Sequence, residues 1–187
     1  MLATLALTML AALVLGTGLP TSATYIITSI MAAPALVLLG VPKLVAHMFV
    51  FYFGILADLT PPTAISTYAT SSIAGADVWR TQWTAMPLAL SGFIIPFSFA
   101  YDPALMMLGA GPARVVLRTA AATLGIVMLG AGVIGYLRRP ARPWERGLLL
   151  LGAVLLIFPG WVSDVLGGAC LVVVLVSQRV AKLPAPP

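Results

Sequence analysis

The sequence predicts an all-α integral membrane protein with a re-entrant helical hairpin, a discontinuous helix and C-terminal transmembrane helices. Of its 187 residues, 61% are hydrophobic and 8% are charged, whereas about a quarter of the residues in a soluble domain are charged. Residues 1–42 contain no charged side chain. The apolar stretches are continuous rather than alternating, which favours membrane helices and excludes a β-barrel.

The charge pattern indicates membrane topology and does not indicate nucleic-acid binding. Ten basic and five acidic residues give a net charge of +5. The basic residues lie at the ends of apolar stretches, as the positive-inside rule expects. Residues 138–146 contain four arginines against Glu145, so this loop is predicted to be cytoplasmic. The sequence shows no catalytic set of nucleophile and base, no phosphate-binding loop and no metal cluster, and we therefore predict a protein that is not an enzyme.

Residues 1–40 form the predicted hairpin. Two apolar arms, residues 1–15 and 23–39, flank a tip at residues 16–22 that is rich in Gly, Pro, Ser and Thr. Each arm is about 22–26 Å long at the helical rise, shorter than the ~30 Å hydrocarbon core. Short arms around so many helix breakers predict a re-entrant hairpin. The alternative is one kinked spanning helix with a surface helix.

Residues 43–74 form the predicted discontinuous helix. Pro61 and Pro62 lack amide donors, and each disfavours helical geometry in the residue before it. We expect the first half to end near Leu59, with Thr60 as the N-cap and Pro61 at the first position of the second half. Such a break exposes backbone groups at membrane depth, where protein, water or a ligand must satisfy them. In secondary transporters, helix breaks of this kind bind ions and anionic substrates.

Two further spans are predicted after the discontinuous helix. Residues 83–101 are expected to span the membrane after a polar turn at residues 77–82. Residues 119–137 contain no charged side chain, and Arg138 follows them directly. They are the clearest predicted spanning helix. On this basis residues 1–113 are one transport-type region, and a C-terminal transmembrane extension occupies the rest of the chain.

The last apolar segment, residues 147–178, is too long for one straight span. At the helical rise it would measure roughly 48 Å, and Phe158-Pro159-Gly160-Trp161 interrupts it. Both flanks are basic, so a hairpin that returns to the same side fits the charge rule better than one tilted span. The tail at residues 183–187 is predicted to be disordered.

Four segments of the sequence resemble one family. They are GTGLPTSA at residues 16–23, HMFVFYFGILADLTPP at 47–62, GAD at 75–77 and PFSFAYDP at 96–103. In these segments the chain resembles the large permease subunit of TRAP transporters, specifically the fused permease that works with TAXI-type periplasmic binding proteins. The resemblance covers nearly the whole chain and weakens from residue 119 onwards.

The resemblance implies a sodium-driven elevator built from two inverted repeats, each a re-entrant hairpin followed by a broken helix. The chain resembles the second repeat, which implies the C-terminal portion of a permease, inactive alone, in a bacterial or archaeal inner membrane. The implied partners are the first repeat, a TAXI-type binding protein and the lipid bilayer. The implied coupling ion is Na⁺, without any other cofactor, and the implied cargo is a small organic anion.

Two other functions compete with this interpretation. A non-transporting structural or assembly subunit would need only the chain's single hairpin and single broken helix. An intramembrane hydrolase would need Asp58 and His47 to act together. These two residues are three helical turns apart, roughly 16 Å, which argues against direct pairing.

The family resemblance also implies a sodium site between the hairpin tip and the helix break. Glycines leave backbone carbonyls accessible, and hydroxyl groups add hard oxygen ligands. The candidate ligands on this chain are Gly18, Thr21, Ser22, Thr60 and Thr63. The alternative is that these small residues only allow helices to pack closely.

Asp58, Pro61 and Pro62 are the candidate residues for substrate binding or coupling. Asp58 lies at the negative end of the first half-helix, where a carboxylate is unfavourable unless a cation or a proton accompanies it. The two prolines maintain the break. The alternative is that Asp58 only holds the break in shape.

Overall fold

A computed structural model describes residues 1–180, with only the backbone of Val180. Within this part the chain forms eight α-helices and one short 3-10 helix, so the predicted all-α class is confirmed. The predicted disordered tail lies outside the described residues. Four helices are long and apolar enough to cross a membrane, namely Thr21–Leu38, Val78–Tyr101, Pro112–Ile134 and Trp161–Arg179.

The chain forms two compact units, one of residues 1–106 and one that begins at Met107, and the division predicted after residue 113 stays a prediction. The first unit contains helices α1 (Leu2–Leu15), α2 (Thr21–Leu38), α3 (Lys43–Ala57), α4 (Ile65–Ala74) and α5 (Val78–Tyr101), then the 3-10 helix Pro103–Met106.

Helix α3 is the centre of the first unit, because it packs against α1, α2 and α5. Its Phe49 and Phe53 side chains are fully buried. Phe97 of α5 contacts both rings edge-on, at centroid distances of 5.3 and 6.0 Å. The packing of α3 on three helices therefore positions the residues that follow its C-terminal end.

The break after α3 is longer than predicted, and the predicted cap at Thr60 is wrong. Helix α3 ends at Ala57, within two residues of the expected position, but α4 begins only at Ile65. The residue before α4 is Ala64, in a left-handed conformation with φ +33° and ψ +54°. Because Pro62 disfavours helical geometry at Pro61, a second half-helix cannot start there.

Helices α5 and α6 begin earlier than the sequence predicts. Asp77 caps α5 by accepting a hydrogen bond from the Arg80 amide at 2.7 Å, so the predicted polar turn at residues 77–82 is helical from Val78 onwards. Helix α6 spans Pro112–Ile134, with proline at its start and Gly135 after its end at φ +79°. The predicted span at residues 119–137 is therefore displaced towards the N-terminus, because proline favours the first helical turn and glycine the position after the last.

The second unit consists of α6, α7 (Pro143–Ile157) and α8 (Trp161–Val180). The predicted interruption at residues 158–161 is confirmed, and α7 and α8 form a hairpin rather than one tilted helix. Ser177 near the end of α8 donates to Glu145 near the start of α7 at 2.7 Å. At the other end of the hairpin, Leu156 packs directly over Gly167.

Candidate functional site

The tip between α1 and α2 packs against the end of α3. A Cβ added to Gly16 would collide with the Cβ of Ala57 and lie 3.1 Å from Cγ2 of Thr24. Thr24 is fully buried, and its Cγ2 would lie 3.4 Å from a Cβ added to Gly54 in α3. Small residues on both sides therefore allow the tip to approach the start of the helix break.

One side-chain hydrogen bond joins the tip to the break. Thr21 Oγ1 donates to Asp58 Oδ2 at 3.1 Å, and both residues are half-buried. Thr21 is the first residue of α2, whereas Asp58 directly follows α3. The hydrogen bond therefore brings the positive end of one helix dipole next to the negative end of another. The Asp58 carboxylate lies between these opposite potentials.

The backbone of the break is partly satisfied within the break itself. The Ala57 carbonyl accepts from the Thr60 amide at 3.1 Å, and the Asp58 carbonyl accepts from the Ser66 amide at 3.2 Å. Within residues 1–180, the Leu59 carbonyl accepts no hydrogen bond. A carbonyl oxygen with one hydrogen bond keeps a second lone pair. The carbonyls of residues 57–59 therefore retain the capacity to coordinate a cation.

The predicted ligands in the tip occupy different environments. Thr21 lies at the contact with Asp58, whereas Ser22 is exposed. Gly18 is also exposed, has φ +79°, and no atom lies within 4 Å of a Cβ added to it. The tip thus brings one of its three candidate residues to the break, while the other two face away from the packed surface.

The predicted ligands in the break lie close together in the chain but differ in their bonding. Thr60 Oγ1 donates to the Leu56 carbonyl at 2.8 Å, which leaves the lone pairs of the hydroxyl oxygen available. Thr63 is half-buried, and its side chain makes no hydrogen bond to any residue that the structure describes. Pro61 is half-buried, Pro62 is exposed, and the peptide bond between them is cis.

Sequence reasoning did not select Gly16, Thr24 and Gly54, which form the close contact beneath the tip. Gly54 offered a signal, because glycine inside a helix is unfavourable and often marks a close approach of another element. Gly16 offered a weaker signal, because the tip contains a second glycine at residue 18. Nothing in the local sequence distinguishes the packed glycine from the exposed one.

His47 contacts Tyr25 of α2. The Tyr25 hydroxyl lies 3.1 Å from His47 Nδ1, and the two rings meet edge-on at a centroid distance of 6.2 Å. This contact joins α2 to the first turns of α3, far along the helix from Asp58. Among the described residues, no group of three or more His, Cys, Asp or Glu side chains is arranged to hold a metal ion.

Comparison with models of known protein families gives a match. The model of the family described as "Tripartite ATP-independent periplasmic transporter, DctM component" matches residues 1–114. Neither the curated proteins nor the solved structures contain a match to this chain. The matched residues include all of the first structural unit, and therefore the tip, the break and the contact between them.

Proposed function

Because this chain belongs to the DctM family of tripartite ATP-independent periplasmic transporters, we propose that its first unit couples the entry of Na⁺ to the uptake of a small organic anion. Family membership makes the protein a membrane transport permease and not an enzyme. It also implies partnership with other transporter components and with a periplasmic binding protein. The resemblance in residues 16–23 and 47–62 supports a TAXI-type binding protein as that partner.

The hydrogen bond between Thr21 and Asp58 is the observation that carries this proposal. It holds a hydroxyl and a carboxylate beside the carbonyls of the helix break. Unwound carbonyls and half-helix ends coordinate Na⁺ in secondary transporters. We assign the Na⁺ ligands to the hydroxyls of Thr21 and Thr60, with further ligands from the carbonyls of residues 57–59.

The other candidate residues have supporting roles in this proposal. Asp58 supplies the negative charge that a bound cation offsets, and this links the occupancy of the site to the position of the tip. Pro61 and Pro62 prevent the helix from continuing through the break. Gly18 and Ser22 on the exposed side of the tip, and Thr63 in the break, stay candidate ligands of the same ion.

We also propose that uptake requires a first repeat with its own hairpin and broken helix, so that this chain acts as the C-terminal portion of a permease. Helices α1 and α2 would form a re-entrant hairpin in a bacterial or archaeal inner membrane. In proteoliposomes with the binding protein, this chain alone is expected to give no uptake. Uptake is expected when the first repeat is supplied. Robust uptake by this chain alone would contradict the requirement for the first repeat.

Selective stabilisation by Na⁺ tests the ion site without knowledge of the substrate. The purified chain is unfolded in detergent with NaCl, KCl or choline chloride at equal ionic strength. A ligand at ten times its Kd stabilises the folded state by about 1.4 kcal/mol. We expect this increment with Na⁺ only, and we expect Thr21→Val and Asp58→Asn to remove it.

Thr70→Val is the matched control for these variants. Thr70 is exposed on α4, and its hydroxyl donates only to carbonyls of its own helix. The Na⁺ increment should survive this change. Equal stability of the wild-type chain in NaCl and KCl would contradict the ion site and favour a non-transporting structural or assembly subunit.

A further inference from the structure

An exposed set of arginines lies at one end of the second unit. This arginine cluster consists of Arg138, Arg142 and Arg179, all exposed. The Arg138 amide donates to Gln178 Oε1 at 3.2 Å, which places Arg138 beside the last turn of α8. Two segments that are distant in the sequence therefore present their positive charges on the same end of the unit.

The acidic residue at this end does not neutralise the cluster. Glu145 is fully buried, and its carboxylate accepts from Arg139 at 2.7 Å and from Ser177 at 2.7 Å. The guanidinium of Arg146 is also hydrogen-bonded, because it donates to the carbonyls at the C-terminal end of α6. Within residues 1–180, no side chain of the arginine cluster pairs with a carboxylate. The cluster therefore presents uncompensated positive charge.

An apolar groove on α8 ends at this cluster. The groove has a volume of about 210 Å³ and is lined by Val172, Leu175, Val176 and Arg179. The spacing of these residues places them on one face of the helix. Val174 and Gln178, on another face of α8, are buried in the unit. The groove therefore faces away from the packed helices, with apolar walls and one charged end.

We propose that this end of the second unit binds one anionic phospholipid. Its phosphate diester lies on the arginine cluster, and one acyl chain lies in the groove of α8. Arginine binds phosphate through paired, charge-assisted hydrogen bonds, and basic sites at the ends of membrane helices bind anionic head groups. Trp144 and Tyr136 are about half exposed beside the cluster, as expected for side chains at head-group depth.

The combination of charge and groove distinguishes this ligand from other anions. A free phosphate ion would use the arginines and leave the groove empty. A neutral phospholipid would fill the groove without compensating the cluster. An anionic phospholipid satisfies both features. In a bilayer its head group lies at the surface and its acyl chain lies below, which matches the order of the arginine cluster and the groove along α8.

Native mass spectrometry of the full chain, released from detergent, tests the proposal. The protein is titrated with dioleoyl phosphatidylglycerol or with dioleoyl phosphatidylcholine. An arginine near an anionic lipid surface contributes a factor of about five in affinity. Arg138→Gln with Arg179→Gln is therefore expected to weaken phosphatidylglycerol binding about 30-fold. Phosphatidylcholine binding should stay weak and unchanged.

Two sets of controls separate charge at this site from charge in general. Arg80→Gln removes an exposed arginine from the first unit and should leave phosphatidylglycerol binding unchanged. Arg138→Lys with Arg179→Lys keeps both charges and should retain most of the binding. Circular dichroism of each variant checks that the helices are intact, which is expected because these side chains are exposed.

Three results would overturn the proposal. The first is equal binding of phosphatidylglycerol by the wild-type chain and the double glutamine variant. The second is an equal loss of binding in Arg80→Gln, which would show an effect of net charge alone. The third is equal affinity of the wild-type chain for inorganic phosphate and for phosphatidylglycerol, which would show that the groove adds nothing to binding.

Discussion

Substitution of Gly16 by alanine tests the packing of the tip on the break. Gly16 has φ −77° and ψ −10°, a conformation that alanine adopts without strain, so the substitution changes only the space that the side chain needs. An added Cβ would collide with the Cβ of Ala57, and this neighbour is fully buried and attached directly to the backbone. The tip or the end of α3 must therefore move.

The size of the effect follows from this geometry. Overpacking by one methyl group destabilises the folded state by about 1–3 kcal/mol. Replacing glycine by alanine also lowers the conformational entropy of the unfolded chain, which stabilises the protein by about 0.4–1 kcal/mol. We expect Gly16→Ala to lower the free energy of unfolding by about 1–2 kcal/mol. Unfolding of the purified chain with a denaturing detergent measures it.

A second substitution makes the test specific for this contact. Ala57→Gly removes the obstructing methyl group, so the double variant should be at least about 1 kcal/mol more stable than the sum of the single effects predicts. Gly130→Ala is the control, because no atom lies within 4 Å of a Cβ added there. It should stabilise α6 by up to about 1 kcal/mol. Additive effects of the two single changes would refute the packing of the tip on Ala57.

Two further predictions concern the second unit. Residues 138–146 are predicted to be cytoplasmic. In a chain with Cys170→Ala, a cysteine introduced by Pro140→Cys should therefore react with an impermeant thiol reagent only after the cells are permeabilised. Efficient labelling in intact cells would contradict this topology. Arg118 and Asp164 form an ion pair at 2.6 Å with little exposure of the arginine. Asp164→Leu should therefore cost about 1–3 kcal/mol of unfolding free energy, because it removes the carboxylate that compensates the largely buried charge of Arg118. The double change of Arg118 and Asp164 to leucine should cost less, because it removes both charges together. An equal or larger loss in the double variant would contradict this.

The helix positions were predictable where strong local signals coincide with changes in composition. The proline pair at residues 61 and 62 predicts the break after α3, and Pro159-Gly160 predicts the turn between α7 and α8. Both signals act through the backbone of the same few residues, because proline lacks an amide donor. Sequence reasoning therefore located these interruptions to within a few residues.

The errors arose where two local rules compete. Thr60 followed by Pro61 has the sequence of a good N-terminus, but Pro62 disfavours the helical geometry that Pro61 would need. Asp77 was assigned to a turn because its surroundings are polar, whereas its side chain caps the helix that begins at Val78. In both cases the result depends on the order of neighbouring residues and not on their composition.

The contact between the tip and the break was accessible to sequence reasoning only through the family resemblance. Thr21 and Asp58 are 37 positions apart, and no periodicity in either segment specifies the other as a partner. The choice of Gly16 rather than Gly18 as the packed glycine likewise depends on where α3 lies. Such contacts are properties of tertiary packing, which local patterns do not contain.

The dependence of uptake on Na⁺ concentration tests the central claim, that the tip and the break together bind the coupling ion. In the reassembled permease with its binding protein, Thr60→Val removes one proposed ligand oxygen and one hydrogen bond, at a cost of about 1 kcal/mol in stability. We expect a weaker apparent affinity for Na⁺ with nearly unchanged expression, while Thr70→Val behaves as the wild-type permease. An identical Na⁺ dependence for Thr60→Val and the wild-type permease would contradict the assignment of the ion site to the helix break.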